Sequence, residues 1–386
     1  NCTKIMTRCD MFTDFDVPED LIPADPRFGV GPSLIPTKYI QALADTGSHL
    51  LGTSHRKPAV KNLVKELQAG FRKYFSLPED YEIILGNGGA TFLFDMIGLG
   101  LVNKASVHYT TGEFSTKWFK AHSKIPWIHA TQKSTEYGTV NAVESLEAHD
   151  MICCTLNETS TGVMIEDLPD MRETDVLVAL DATSGAGQIP INMELVDLYF
   201  FSPQKVFGGE GGMYFAFISP KAIKRAEDIA KKDNYIPEIM NWKNAIDNSV
   251  KNQTYNTPSI ANLFIINEQI KAMNLLGEIE VTNQAKIKAK FIYDWADSKE
   301  YLSPFVTAQS ERSISVATID VDEKYPITEL LDVLRAKRVI YDIEGYRKLG
   351  RNQLRISLFH NVELDDLVKL TKIITLAIES EIDSGN

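Results

Sequence analysis

The sequence predicts an α/β fold: a large domain on a mostly parallel sheet, then a smaller α+β domain. Three observations carry this. Apolar runs that end in turn residues alternate with segments of helical periodicity between residues 59 and 220. Glycine turns, an acid and a lysine collect where those runs stop, which is where open parallel sheets place their ligands. A length of 386 residues is enough for two domains with a substantial core.

Hydrophobic residues make up 44% and charged residues 24%, an ordinary soluble composition. No apolar run approaches the ~20 residues of a membrane helix. A net charge of −12 argues against broad nucleic-acid binding, while leaving room for a local basic pocket. Of the four cysteines, Cys153 and Cys154 sit in an apolar run and read as core thiols, and no zinc-ligand spacing occurs. The expected setting is reducing and cytoplasmic. Asn1–Asp10 lacks the apolar core of a signal peptide, and Met6 or Met11 is expected nearer a natural start.

Residues 11–35 carry Pro18, Pro23, Pro26 and Pro32 among several acids, and read as an extended or turning arm. Residues 36–50 are helical in pattern. Gly52-Thr-Ser-His-Arg-Lys57 presents His55, Arg56 and Lys57 together; by residue type this is a solvated basic loop or an anion site. From Ala59 to Phe75 the spacing of Val60, Leu63, Val64, Leu67 and Phe71 predicts an amphipathic helix. Tyr81–Leu85 reads as a strand, and Gly86-Asn-Gly-Gly-Ala-Thr91 as the turn into a helix. Strand, glycine turn and helix N-terminus together make a phosphate cradle, although packing alone also produces such turns. The turn lacks the lysine of a P-loop.

Ala105–Tyr109 is a short strand and Thr110–Ser115 the loop after it. By residue type Phe114 in that loop is core. Met151–Thr155 is another strand, and Asn157 and Glu158 after it have turn-shaping types. Asp175–Asp181 is apolar along most of its length and closes on an acid, a costly arrangement unless something cationic meets it. Leu198–Phe201 leads into Ser-Pro-Gln-Lys205 and then glycines, so a buried strand ends on a lysine whose flanks predict burial. An acid and a lysine at adjacent strand ends suit pyridoxal phosphate: the lysine forms the Schiff base and the acid keeps the pyridine nitrogen protonated. The plain alternative is a structural Asp–Lys pair, or a snorkelling lysine.

Gly212–Pro220 leaves as a further strand, and residues 221–250 are largely helical. Asn256-Thr257-Pro258 reads as a simple turn. A long helical segment from about Ser259 links to the second domain, where Phe305–Thr307 and Ser313–Ile319 read as strands and Leu330–Leu334 as helix. Gln353–Leu358 alternates like a strand, and its Arg355 calls for an anionic partner.

Ser202-Pro-Gln-Lys205, with Asp181-Ala-Thr-Ser-Gly-Ala-Gly187, resembles the phosphoserine aminotransferase family, which is fold-type-I and dependent on pyridoxal phosphate. The resemblance runs from Arg27-Phe-Gly-Val-Gly-Pro-Ser33 to about Glu363. Lys251-Asn-Gln-Thr-Tyr-Asn-Thr-Pro258 and Tyr346-Arg-Lys-Leu-Gly-Arg-Asn-Gln-Leu-Arg355 point to its actinobacterial-type branch. It implies a seven-stranded sheet and the division 1–35 arm, 36–262 large domain, 263–285 linking helix and 286–386 small domain. Lys205 and Asp181 become the catalytic pair. Ala90, Thr91, Phe114, Thr159, Gln204, Asn256 and Thr257 join them as cofactor-binding residues, with Phe114 stacking where relatives use Trp. His55, Arg56, Arg347 and Arg355 become substrate-binding, Arg355 holding the α-carboxylate and the others the distal anion. Many relatives have Arg where Thr91 stands, and His where Tyr346 stands. The resemblance also implies a homodimer in which Asn256 and Thr257 reach the partner's cofactor phosphate, and no metal.

The implied reaction takes the amine of glutamate to 3-phosphohydroxypyruvate, giving phosphoserine and 2-oxoglutarate in serine synthesis, and in some organisms serves vitamin B6 synthesis. The rivals are another fold-type-I enzyme, such as an alanine–glyoxylate aminotransferase or a cysteine desulfurase, and a silent binder of cofactor or anion. A phosphopeptide module would leave the placement of Asp181 and Lys205 unexplained.

Overall fold

The computed structural model describes residues 11–143 and 148–384, so Cys2, Met6 and Cys9 lie outside the described residues. After the arm come α1 (Thr37–Asp45) and α2 (Pro58–Tyr74), the latter burying the predicted stripe of Val60, Leu63, Val64, Leu67 and Phe71. Then follow β1 (Glu82–Asn87), α3 (Ala90–Leu101), β2 (Ala105–Thr110), α4 (Glu113–His122), β3 (His129–Ser134) and β4 (Met151–Thr155). A short hairpin, β5 (Asn157–Glu158) and β6 (Val163–Met164), precedes β7 (Leu177–Asp181), β8 (Leu198–Phe201) and β9 (Met213–Ile218).

Seven of these strands form one sheet in the order β1-β9-β8-β7-β4-β2-β3. The pairs from β3 through β8 are parallel, whereas β9 is antiparallel to both β8 and β1. Both faces are covered. Ile83, Leu85, Tyr199 and Phe201 enter one core; Ile84, Leu198 and Phe200 enter the other. That is the period-two alternation of a sheet buried on both sides. Phe71 of α2 packs against Phe201, Phe207 and Phe215 at centroid distances of 5.6, 5.4 and 5.1 Å, which fixes the strand end that precedes Lys205.

Helices α5 (Pro220–Ile229) and α6 (Trp242–Ser249) lead to α7 (Ile260–Leu276) and α8 (Glu278–Asp297). The expected linking helix over 263–285 is therefore two helices. Gly277 breaks it at φ +87°, its N–H closing α7 on the Met273 carbonyl at 2.8 Å. A second sheet follows, β10 (Leu302–Pro304), β11 (Val316–Val321) and β12 (Gln353–Ser357), all antiparallel, with α9 (Ile327–Ala336) and α10 (Leu364–Ser384). The strand expected at Phe305–Thr307 lies three residues earlier. Phe305, just past its end, still gives its N–H to the Thr318 carbonyl of β11 at 3.0 Å, and the Arg351 guanidinium stacks over its ring at 4.8 Å. The polar edge strand β3 and the terminal helix α10 carried no expectation. Among the described residues no helix is long and apolar enough to cross a membrane.

Candidate active site

Asp181 ends β7 and pairs in register with Phe200 of the neighbouring β8, so the turn carrying Lys205 leaves beside it. Both are buried, at 4% and 8% exposure. They do not pair with each other. Asp181 Oδ1 accepts from the Thr183 amide at 3.0 Å and hydroxyl at 2.5 Å. Among the described residues Oδ2 has no partner. Lys205 Nζ donates to the Val30 carbonyl at 2.6 Å. The structural Asp–Lys pair is thus not what the fold contains. Burial pushes the Asp181 carboxyl up to about 6, against the pull of Thr183. Burial, helped by the Arg355 guanidinium, pushes the Lys205 amine down to about 7, while Asp181 and Glu158 oppose it. A lysine half neutral at pH 7 is a nucleophile and a base.

The glycine turn builds as predicted. Gly89, at φ +91°, caps α3, and the Gly88 N–H is tied to the Gly212 carbonyl at 2.9 Å. The Ala90 N–H donates to Ser202 Oγ at 2.6 Å, which fastens the cradle to the lysine turn. Thr91 is exposed, and Lys117 Nζ stands 3.5 Å from its hydroxyl. A cation therefore stands beside Thr91, from a residue the sequence did not single out.

Phe114 is not in a loop. It lies in the first turn of α4, 6.0 Å from Lys205 Nζ by ring centroid. Its ring also meets Tyr346 at 5.7 Å, and the Arg355 guanidinium sits over the Tyr346 ring at 5.3 Å. This chain of contacts seats the second sheet's loop on the site. Arg355 donates to the Thr159 carbonyl at 3.3 Å, while its buried Nε has no partner. Thr159 Oγ1 donates to Ser184 Oγ at 2.8 Å. Gln204 Oε1 is likewise buried and unpartnered.

Glu158 is the residue whose importance sequence reasoning missed. It is fully buried, and its carboxylate accepts from the amides of Phe114, Ser115 and Ser160 and the hydroxyls of Ser115 and Ser160. It thereby caps α4 and sets the Phe114 ring. The signal was present: a carboxylate next to an apolar strand needs donors, and Ser160 and Ser115 supply them.

Four further predicted residues, His55, Arg56, Asn256 and Thr257, gather away from the lysine. Arg56 donates to Gln253 Oε1 at 2.9 Å, and Asn87 Nδ2 to the Thr257 carbonyl at 2.7 Å. The 253–257 stretch thus lies between the His55–Arg56 loop and the start of the glycine turn. The Asn256 carbonyl is held by Thr254 Oγ1. His55 Nε2 is buried without a partner, and burial with Arg56 nearby lowers the imidazole's pKa. Among the described residues none of these four bonds to Asp181 or Lys205. Arg347 is exposed and forms no ion pair there, whereas its neighbour Lys348 pairs with Glu113 at 3.0 Å.

His108, His122 and Cys153 bring ligand-type atoms within 4.8 Å of one another. The Trp118 indole can only donate, and it faces His122 Nε2 at 3.0 Å. The Phe94 carbonyl, which can only accept, faces the same nitrogen at 3.1 Å, and His122 Nδ1 lies 3.1 Å from His108 Nε2. Burial keeps both rings neutral and Cys153 a thiol. The cluster is a hydrogen-bonded core.

The family model for class-V aminotransferases matches residues 28–343. The chain is 44% identical to the phosphoserine aminotransferase of Corynebacterium glutamicum over 95% of its length and 98% of that protein's. It is 41% identical to that of Rhodococcus opacus over 93% and 96%. The chain belongs to the phosphoserine aminotransferase family. In fold it is similar to a phosphoserine aminotransferase from Cytophaga hutchinsonii, with TM-score 0.84, 22% identity and coverage of 91% and 99%. It is also similar to an alanine–glyoxylate aminotransferase from Nostoc, at 0.80, 18%, and 95% and 97%. Fold alone does not separate these activities; the sequence matches favour the first. The phosphoserine aminotransferase family depends on pyridoxal phosphate. The residues present fit that group: a buried low-pKa amine, a free carboxylate oxygen, an aromatic ring beside the amine, and a glycine cradle at a helix N-terminus.

Proposed function

We propose that this chain is a phosphoserine transaminase moving an amine from glutamate to 3-phosphohydroxypyruvate. The observation that carries the reading is a buried Lys205 amine at the strand end next to Asp181, whose Thr183 bonds leave one carboxylate oxygen over, in a chain of this family. Pyridoxal phosphate, when bound, supplies an aldehyde for the amine and a ring that withdraws electrons. Lys205 Nζ would hold it, then, once displaced, take the proton from the substrate Cα and return it at the cofactor C4′. Asp181 Oδ2 would face the ring nitrogen, whose positive charge draws the carboxyl's raised pKa back down and keeps it ionised. Phe114 would cover one face, and Thr159 and Gln204 would meet the ring's polar edge. Ala90 and Thr91, with Lys117, would hold the phosphate.

Arg355 is suited to the α-carboxylate, because its buried Nε awaits an acceptor. His55, Arg56 and Arg347 would grip the distal carboxylate or phosphate, since a guanidinium fork accepts either. Asn256 and Thr257 would complete the site of a second copy, making a homodimer. Residues 36–262 would act as the cofactor domain and 286–386 as the small domain, in a cytoplasmic enzyme whose thiols Cys153 and Cys154 stay free. The test is kinetic. The account expects 3-phosphohydroxypyruvate to exceed unphosphorylated hydroxypyruvate in kcat/KM by about 100-fold or more, the worth of a two-point phosphate grip. Equal values would refute the assignment.

A further inference from the structure

The arm segment 27–33 lies directly against Lys205, and the family reading gives it no role beyond carrying sequence identity. Three contacts join them. Val30 presents its carbonyl to Lys205 Nζ at 2.6 Å. Ser33 Oγ donates to the Lys205 carbonyl at 2.6 Å. A Cβ at Gly31 would collide with Nζ, Cε and Cδ of the lysine, and Gly31 sits at φ +136°, where glycine is favoured. The same segment is stitched to the second sheet. The Phe28 carbonyl accepts from the Ser357 amide at 3.0 Å, two residues from Arg355, and Tyr341 N–H bonds the Pro26 carbonyl at 2.8 Å.

We propose that residues 27–33 form a strap that seats the free Lys205 amine, the Val30 carbonyl holding one N–H and the bare Gly31 making the space. The inference rests on the reading of Lys205 as the reactive amine. A neutral amine has two N–H groups and one lone pair. Giving one N–H to a fixed carbonyl aims the lone pair away from it, ready to accept a proton. Protonation to the ammonium keeps the same bond, so the amine can take and return a proton without leaving its seat. Because the strap is bonded beside Arg355, the groups assigned to the α-carboxylate and to the proton are held in one frame. The charged groups that face Nζ are Asp181 on β7, Glu158 on β5 and Arg355 on β12, and the Phe114 ring of α4 lies beside them.

Val30-Gly31 is the one Val-Gly pair in the sequence. Full-length enzyme carrying carbonyl-13C valine and 15N glycine therefore gives a single carbonyl–amide correlation from this peptide bond. Loaded with pyridoxamine phosphate, which leaves the lysine free, that correlation should shift with pH through one midpoint, and Lys205→Met should abolish the shift. A correlation that does not titrate, or one that titrates equally in Lys205→Met, overturns the strap. In parallel, Gly31→Ala should slow borohydride trapping of pyridoxal phosphate on Lys205. Gly70→Ala, on α2 and outside the strap, whose Cβ would meet Ile270 rather than the lysine, should leave it unchanged. Equal slowing in both variants also overturns it. If Gly31→Ala does not fold, the wild-type titration decides. Trapping on Lys205 in the wild type tests the underlying reading separately, so the two failures are distinguishable.

Discussion

Among the described residues two lysines are buried, and they are built in opposite ways. Lys288, on α8, gives its amine to three carbonyls, of Phe359 at 2.8 Å, Val362 at 3.1 Å and His360 at 3.5 Å. Lys205 has one carbonyl and, beyond it, an aromatic ring and two carboxylates that are not bonded to it. Burial lowers both amines, Lys288 to about 8 and Lys205 to about 7. The difference lies in what remains for another partner. Lys288 spends its donors on backbone and fastens α8 to the 359–362 turn. Lys205 keeps most of its valence uncommitted in a site that also leaves Gln204 Oε1 and Arg355 Nε unsatisfied, and where the Thr183 bonds do not use Asp181 Oδ2. Unmet polar groups cost stability, so their concentration at one place marks where a ligand belongs.

Replacing each lysine sharpens the contrast most. Lys205→Ala should lower steady-state transamination by about 10⁴-fold or more with an unchanged unfolding temperature. Lys288→Met should do the reverse, destabilising by about 2–4 kcal/mol through orphaned carbonyls while turnover persists. Thermal melts and initial rates of the two variants read both outcomes. A Lys205 variant that melts early but still turns over would erase the distinction.

Asp181→Asn should come next. Losing the charge beside the ring nitrogen should cost about 10²–10⁴ in kcat, from the ~3–5 kcal/mol lost when one partner of a buried charge pair is removed. The loss should appear in kcat rather than in the binding of glutamate.

The pH dependence separates the lysines differently. In cofactor-free protein the labelling rate of Lys205 by a small acylating reagent should rise tenfold per pH unit up to about 7 and then level, because only the neutral amine reacts and below its pKa it is protonated. Surface lysines should keep rising to roughly pH 10, and Lys288 should stay unlabelled while the protein is folded. Quantitative peptide mass spectrometry across pH gives all three curves.

Smaller effects belong to two exposed cations, Arg347 and Lys117. Arg347→Ala should raise KM for the phosphorylated substrate by about 10–100-fold with little change in kcat. Lys117→Ala should weaken cofactor retention only about 3–5-fold, since its contact is long and solvent-screened. Equilibrium dialysis of the cofactor measures the latter.

Much of this was legible in the residues. The α2 stripe, the glycine turn after β1 and the acid and lysine closing β7 and β8 all follow from periodicity and from the cost of a buried charge. What was not legible came from distance along the chain. Nothing local ties Val30 to residue 205, or Glu158 to the start of α4. Phe114 read as loop because its helix begins on Gly112 and Glu113 with no Ser, Thr, Asp or Asn cap; the cap comes from Glu158, 44 residues on. The polar β3 reads as surface because it is an edge strand. Gly277 hid inside a segment otherwise helical in pattern, where only its positive φ reveals the break.

The most direct measurement is reduction of the cofactor-loaded enzyme with borohydride, followed by digestion and peptide mapping. The account predicts one pyridoxyl-modified residue, Lys205, with Lys288 untouched. A label on any other lysine, or no covalent label at all, would contradict it.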